Sequence, residues 1–410
     1  MENRPASESL PAVPLPGVSV PGRIPRGIWA LGFVSMLMDV SSEMIHALLP
    51  IYLVGALGAS TLAVGFIEGV AEATAAITKV FSGALSDWLG RRKLLAAVGY
   101  ALAAFTKPVF PLAETIGWVV AARFVDRIGK GVRGAPRDAL IADLAPPALR
   151  GAAFGLRQSL DVAGAFIGPL LAIGLLWLSA DNLRLVFWCA VPPAFAALAL
   201  IVFVVRDAPR AGAERVRLPL SRAALAHLPP AYWWIVGVSA VFTLARFSEA
   251  FLVLRAQEIG LTLVLIPAVL VLLNAVYALS SYPVGVLADR CDRGTLLLLG
   301  FAVLVAADLA LALVGGLPGV ALGVVLWGLH MGMTQGVLAA LVADAAPAAL
   351  RGTAFGIFNL VGGVALLAAS VLAGGLWDAF GSRATFLAGA LFAALALLGL
   401  IPLARRLRVR

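Results

Sequence analysis

Acids and bases recur at helical spacing inside otherwise apolar stretches of this chain. Asp39, Glu43 and His46 fall at i, i+4 and i+7, which puts all three on one helical face. Glu68 and Glu72 repeat the i, i+4 device, with Lys79 two turns further along the same face. Arg123, Asp126, Arg127 and Lys130 follow, then Arg157, Gln158 and Asp161. Arg246 and Glu249 mirror part of the first group and are expected to pair with each other at i, i+3. Ionisable groups within apolar spans are costly and mark relays or solute pathways by default. Such groups also neutralise one another, since removing one partner strands the other, and for any single residue that bland reading stands beside the functional one. As a set they favour function, because a purely structural bundle would use apolar contacts.

Burial disfavours a charged carboxylate, and a neighbouring arginine restores it. An acid held between these two effects can take up and release a proton. On that basis Asp39, Glu43, Glu72 and Asp161 are the best proton carriers. Arg123 and Arg127 are then their partners, or ligands for an acidic solute. His46 titrates in a suitable range, although a lone histidine is more often a satisfied hydrogen-bonding group. His330, Gln335, Asn274 and Asn359 are expected to line a cavity or bridge helices, and Asp308 to be a cavity group or a compensated charge.

The elements that must hold these residues are membrane helices. The chain is 61% hydrophobic and 13% charged, with a mean hydropathy of +0.99, whereas soluble domains run at about 25% charged residues. A spanning helix needs about 20 apolar residues. Breaks at Gly, Pro and charge clusters predict twelve spans near 28–56, 61–85, 94–112, 116–136, 152–178, 184–205, 231–256, 262–288, 295–315, 318–343, 353–377 and 383–404. In the first span Asp39 would lie about 16 Å along the helix, near mid-depth, at 1.5 Å per residue. Trp29, Trp118, Trp177, Trp188, Trp233 and Trp377 near span ends fit interfacial belts.

The net charge of +9 is topological rather than a nucleic-acid footprint. Arg23 and Arg26 precede the first span, Arg206, Arg210, Arg215, Arg217 and Arg222 fill one polar stretch, and Arg405, Arg406, Arg408 and Arg410 close the chain. The turns near 87–93, 137–151, 206–230, 289–294 and 344–352 share this basic side, and the opposite turns are short and poor in Lys and Arg. That is the pattern of cytoplasmic loops, so both termini are expected in the cytoplasm and the protein in the plasma (inner) membrane. Residues 1–27 form a polar tail without a signal-peptide core. The two cysteines, Cys189 and Cys291, imply no disulfide framework.

An internal repeat fixes the expected architecture. IADLAPPALRGAAFG, from Ile141 to Gly155, returns half a chain later as VADAAPAALRGTAFG, from Val342 to Gly356. Likewise Gly83 to Asp87 (GALSD) returns as Gly285 to Asp289 (GVLAD). Parallel copies of this kind imply two six-helix halves related by an axis along the membrane normal. The expected domains are a bundle over 28–205, a linker over 206–230, a bundle over 231–404 and a basic tail over 405–410.

At this point the chain resembles the major facilitator superfamily. The run Gly83, Asp87, Gly90, Arg91, Arg92 and Lys93 is similar to that superfamily's G-x-L-x-D-x-x-G-R-R-[KR] turn after span 2. Its second copy, with Asp289 and Arg293, is degraded: Asp292 stands in the place of the loop glycine. Gly155, Gly164, Gly168 and Pro169 in span 5 resemble the glycine-proline motif of the drug/proton antiporters, with Ala172 and Ile173 replacing its closing glycines. The run from Arg123 to Gly131 resembles the superfamily's span-4 motif loosely, and only the arginine is carried over. The resemblance implies an all-α membrane fold of two pseudo-symmetric six-helix bundles and a secondary transporter working by alternating access. It further implies that Asp87 latches the halves against the start of span 11, where the helix dipole is positive. Arg91 and Arg92 would extend the latch toward Asp143 or Asp138.

The function expected is proton-coupled export of small organic molecules by a monomer whose partners are the solute, protons and lipid. Uptake by symport, or export of a metal cation held by Asp39, Glu43 and His46, is the alternative. A non-transporting sensor or scaffold on the same fold is a reading from another class. No P-loop, dinucleotide fingerprint or metal-spaced Cys/His cluster is present, so an enzyme, a resident metal and a cofactor are all unexpected.

Overall fold

A computed structural model describes residues 24–89, 91–146, 149–207, 228–290, 292–346 and 351–408. The N-terminal tail to residue 23, most of the expected linker (208–227), Gly90, Cys291 and the last two residues lie outside them. Twelve helical rods run through the described residues: α1 (Arg26–Ala56), α2 (Thr61–Leu89), α3 (Arg92–Leu112), α4 (Ile116–Leu144), α5 (Arg150–Leu178) and α6 (Leu183–Phe203) form the first bundle. The second holds α7 (Pro230–Glu258), α8 (Ala268–Arg290), α9 (Arg293–Leu313), α10 (Gly316–Ala345), α11 (Arg351–Phe380) and α12 (Ser382–Arg408). In hydrocarbon every backbone N–H and C=O must be satisfied within the segment, which a helix does by itself. Eleven rods are long and apolar enough to cross a membrane; the exception is α4. Arg123, Asp126, Arg127, Lys130, Arg133, Arg137 and Asp138 all lie on it, so the helix that fails the hydropathy test is the one richest in chemistry.

Rod ends match the expected spans within a few residues, with one correction. The basic turn expected over 137–151 is helical as far as Leu144, with Pro136 accommodated inside α4. Two rods are broken. α1 is interrupted at residues 47–48 and ends in a π-turn over Tyr52–Ala56. α7 is unwound at residues 246–248, between Pro230–Ala245 and Ala250–Glu258.

Glycines set the approach of the rods, because a missing Cβ lets backbones meet. On α5, a Cβ at Gly164 would stand 2.6 Å from the Met36 carbonyl oxygen and 3.0 Å from Asp39 Cβ. At Gly168 it would stand 2.8 Å from both Glu43 Cβ and the Val40 carbonyl oxygen. The span-5 motif therefore presses α5 onto α1 at the level of Asp39 and Glu43. Gly69 on α2 and Gly363 on α11 similarly close the seam between the bundles.

The basic end, where α1 begins, differs from the far end. The larger apolar core runs from one bundle into the other, joining Tyr52, Phe110 and Phe187 to Phe251, Phe301 and Trp327. The basic half of the first bundle has its own core around Leu31, Tyr100, Leu140 and Ile201. At the far end the Asp378 carboxylate of α11 accepts hydrogen bonds from the Thr61 N–H at 3.0 Å, the Leu62 N–H at 2.9 Å and the Thr61 hydroxyl. It caps the first turn of α2, where backbone donors are unsatisfied, and ties the two bundles at this end. Trp377, expected in an interfacial belt, instead packs inward against Phe251 and Phe386.

Replacing Gly168 by Ala forces a Cβ into the backbone of α1. Overpacking of this kind costs about 1–3 kcal/mol. Thermal unfolding in detergent should show a clearly lowered midpoint for Gly168→Ala, whereas Gly174→Ala, whose Cβ would meet nothing within 4 Å, should leave it unchanged.

Candidate functional site

Helix α4 crosses low-dielectric surroundings with its charges matched by neighbouring rods. On the face toward α2, the Arg123 guanidinium lies 2.7 Å from the Glu68 carboxylate, and both are buried. One turn on, Arg127 lies 3.2 Å from Glu72, and Lys130 reaches the same carboxylate at 4.0 Å. On the face toward α3, Asp126 pairs with Lys107 at 2.9 Å, and Lys107 also donates to the Ser42 hydroxyl at 3.0 Å. Arg133 lies over the Tyr100 ring, 5.0 Å from its centroid. Arg137 donates to Ser35 and Asp138.

These contacts allow the close approach of α4 that its glycines permit. A Cβ at Gly129 would stand 2.6 Å from the Gly99 carbonyl oxygen of α3, and one at Gly131 2.8 Å from the Ala75 carbonyl oxygen of α2.

Two cavities follow one another along the bundle axis. The central one, of about 300 Å³, is lined by Glu43, His46, Glu68, Glu72, Arg127 and Lys130 from the first bundle. Arg246, Phe247, Ser248, Glu249, Asn274, Trp327 and Gln335 complete it from the second. The other, of about 320 Å³, lies toward the basic end among Asp39, Glu72, Lys79, Lys130, Arg133, Arg137, Asp161 and Asn359. Glu72 and Lys130 line both and stand at their junction.

Within the central cavity His46 bridges two acids. Its Nδ1 lies 3.3 Å from Glu43 and its Nε2 3.7 Å from Glu68. The chain Glu43, His46, Glu68, Arg123 thus runs from the cavity wall into the protein. The trio Asp39, Glu43 and His46 does not converge on one point, because Asp39 lines the second cavity and both imidazole nitrogens face carboxylates. Among the described residues no group of three or more His, Cys, Asp or Glu side chains is arranged to hold a metal ion. Among the described residues Asp39 forms no direct ion pair, and Asp161, Arg133, Arg137 and Glu43 are the charges around it. Asp161 pairs with Arg157 at 2.9 Å rather than with Arg123 or Arg127.

Three further expectations are corrected. Arg246 and Glu249 form no ion pair, because the helix that would bring them together at i, i+3 is unwound between them. Asp308 is fully buried, and among the described residues neither carboxylate oxygen has a hydrogen-bond partner. His330 is likewise fully buried, wedged edge-on between Phe242 and Trp327. Of its expected companions, Gln335 and Asn274 line the central cavity and Asn359 the second.

In the turn after α2, Arg92 pairs with Asp143 at 2.7 Å, tying α3 to α4. The side chains of Asp87, Asp289 and Arg293, with Gly155, lie outside the described residues. Sequence reasoning missed Lys107, Arg133, Arg137 and Trp327. Lys107 carries a usable signal, a lone lysine beside Pro108 in an apolar span.

Twelve membrane helices in two bundles, packed around polar cavities with paired intramembrane charges, define a solute carrier. The chain belongs to the Major Facilitator Superfamily, whose family model matches residues 31–370, and it is a membrane transporter rather than an enzyme. It is 33% identical over 378 residues to an uncharacterised MFS-type transporter of Methanocaldococcus jannaschii, covering 90% of this chain and 92% of that one. Multidrug resistance protein MdtH of Photorhabdus laumondii is 30% identical over 170 residues, 40% of this chain and 39% of that one. Among solved structures, a bacterial homologue of the human lysosomal transporter Spinster, inward-facing and unoccupied, superposes with a TM-score of 0.76 at 16% identity. The match covers 94% of this chain and 98% of that one.

Breaking a buried ion pair by removing one partner costs about 3–5 kcal/mol, whereas replacing both by apolar groups is often neutral. Lys107→Met should therefore severely lower stability in detergent, and the double variant Lys107→Met, Asp126→Leu should recover most of it. Unfolding midpoints of the two variants, measured side by side, check this expectation.

Proposed function

We propose that this transporter exports small organic molecules in exchange for protons. The observation that carries this reading is the pair of tandem cavities, with acids facing both and the Glu72–Lys130 pair at their junction. A proton arriving at Glu72 removes the charge that holds Lys130 and Arg127. Those two cations then repel, and the local balance between the bundles changes. Asp39, unpaired in the second cavity, is the station at which the proton leaves toward the basic end. Glu43, His46 and Glu68 are the relay on the opposite side of Glu72, with Arg123 holding Glu68, while Asp126 and Asp161 fix the cationic frame through Lys107 and Arg157.

Export is favoured over uptake by the Gly164, Gly168 and Pro169 motif seated against Asp39 and Glu43, and by the partial similarity to a multidrug resistance protein. The basic end faces the cytoplasm of a plasma-membrane protein by the excess of arginine there. The chain acts as a monomer, and Asp87 serves as the latch at that end, complementary to the Asp378 cap at the far end.

Everted membrane vesicles energised by respiration and carrying a fluorescent pH probe provide the test. A panel of small organic cations, acids and zwitterions is added in turn. At least one compound should dissipate the pH gradient through the wild-type protein and fail to do so through Asp39→Asn or Glu72→Gln. Transport that persists unchanged after nigericin removes the gradient would count against proton exchange.

A further inference from the structure

The charges of the central cavity are not equally satisfied on its two sides. Every first-bundle acid there has a cationic partner: Glu43 has His46, Glu68 has Arg123, and Glu72 has Arg127 and Lys130. The second bundle contributes one base and one acid, Arg246 and Glu249, and neither forms an ion pair with any described residue. Arg246 lies over the face of Phe242, 6.0 Å from the ring centroid, with Glu249 and Tyr277 nearby but outside ion-pair distance, and its Nε is buried without a hydrogen-bond partner. Uncompensated charges of this kind are expensive in a low-dielectric site unless something completes them.

The backbone that presents them is pinned rather than frayed. Residues 246–248 are unwound, yet the Ser248 N–H donates to the Ser370 hydroxyl of α11 at 3.2 Å, and the Ala250 N–H donates to the Ser248 hydroxyl at 3.2 Å. Irregular backbone at membrane depth is tolerated where it lines a cavity, and broken helices at such points form solute sites in transporters. Unwinding also breaks the regular i, i+3 alignment of Arg246 and Glu249, and both side chains line the cavity. Phe247 between them and Trp327 on α10 supply an apolar wall in the same cavity.

We propose that the break in α7 is a two-pole recognition site for a small zwitterion. Arg246 takes the ligand's carboxylate or other anionic group, Glu249 its ammonium group, and the Phe247–Trp327 wall the carbon chain between. A cavity of about 300 Å³ is large enough for a small metabolite. A ligand with one charge leaves either Arg246 or Glu249 unsatisfied. A neutral ligand leaves both. The assignment names the solute class for the export reading given above, and its test needs no gradient.

Three compounds of one chain length separate the poles: 6-aminohexanoate, hexanoate and hexylamine. Binding to the purified protein in detergent is measured by thermal shift and by microscale thermophoresis. The zwitterion should bind most tightly. Arg246→Gln should weaken it about tenfold, the loss expected for one charge-assisted contact, and bring it level with hexylamine. Glu249→Gln should weaken it similarly and bring it level with hexanoate. Gly174→Ala, at a position on α5 with open space around it and in neither cavity, serves as a control that should not change the order of the three ligands.

Equal binding of all three compounds, binding of none, or a zwitterion preference that survives both charge-removing substitutions overturns the assignment. If zwitterions bind as described but do not discharge the pH gradient in vesicles, the two-pole site stands and proton exchange falls. Gradient-linked transport of other solutes without zwitterion binding has the reverse meaning.

Discussion

The structure depends on one constraint: charge carried into hydrocarbon must be matched there. Helix α4 carries eight ionisable residues, from Arg123 to Asp143, and its neighbours are arranged to answer them. Glu68 and Glu72 on α2 meet Arg123 and Arg127, and Lys107 on α3 meets Asp126. The glycines at 99, 129 and 131 let the backbones of α2, α3 and α4 approach closely around these pairs. A bundle held by apolar contact alone would tolerate sliding. One held by buried pairs at fixed heights has its register specified.

The two halves use their shared ancestry of sequence differently. Both first helices are broken near mid-depth, α1 after His46 and α7 after Ala245. The first half surrounds its break with paired charge and the second leaves its break unsatisfied. At the far end Asp378 on α11 caps α2 and ties one bundle to the other. The bundles enclose polar space from mid-depth toward the basic end.

Much of this was legible in the sequence, for identifiable reasons. The twelve rods follow from apolar runs interrupted by Gly, Pro and charge. The two bundles follow from the copy of Ile141 to Gly155 at Val342 to Gly356. The acids at 43, 68 and 72 reach the central cavity because helical spacing fixes which residues share a face. What escaped depended on the partner rod or on a departure from helical geometry. Lys107 gives no periodic signal, because its meaning lies in Asp126, a residue on another helix. The expected Arg246–Glu249 pair fails because local spacing cannot report that α7 unwinds there. Asp308 and His330 looked like cavity groups, yet their helices turn them into the packed interior of the second bundle. Charge in a span shows that something must answer it; only the packing shows what does.

The central claim is that acids in the two cavities govern how the halves stand relative to each other. Electron–electron double resonance between spin labels at Leu94 and Leu299, exposed positions near the basic-end starts of α3 and α9, tests it without any substrate. The labels are placed in a chain whose Cys189 and Cys291 are replaced by serine. The account predicts that the distance distribution shifts between alkaline and acidic buffer, and that Asp39→Asn combined with Glu72→Gln holds it in one position at both. Superimposable distributions at the two pH values in the otherwise unaltered chain would contradict it.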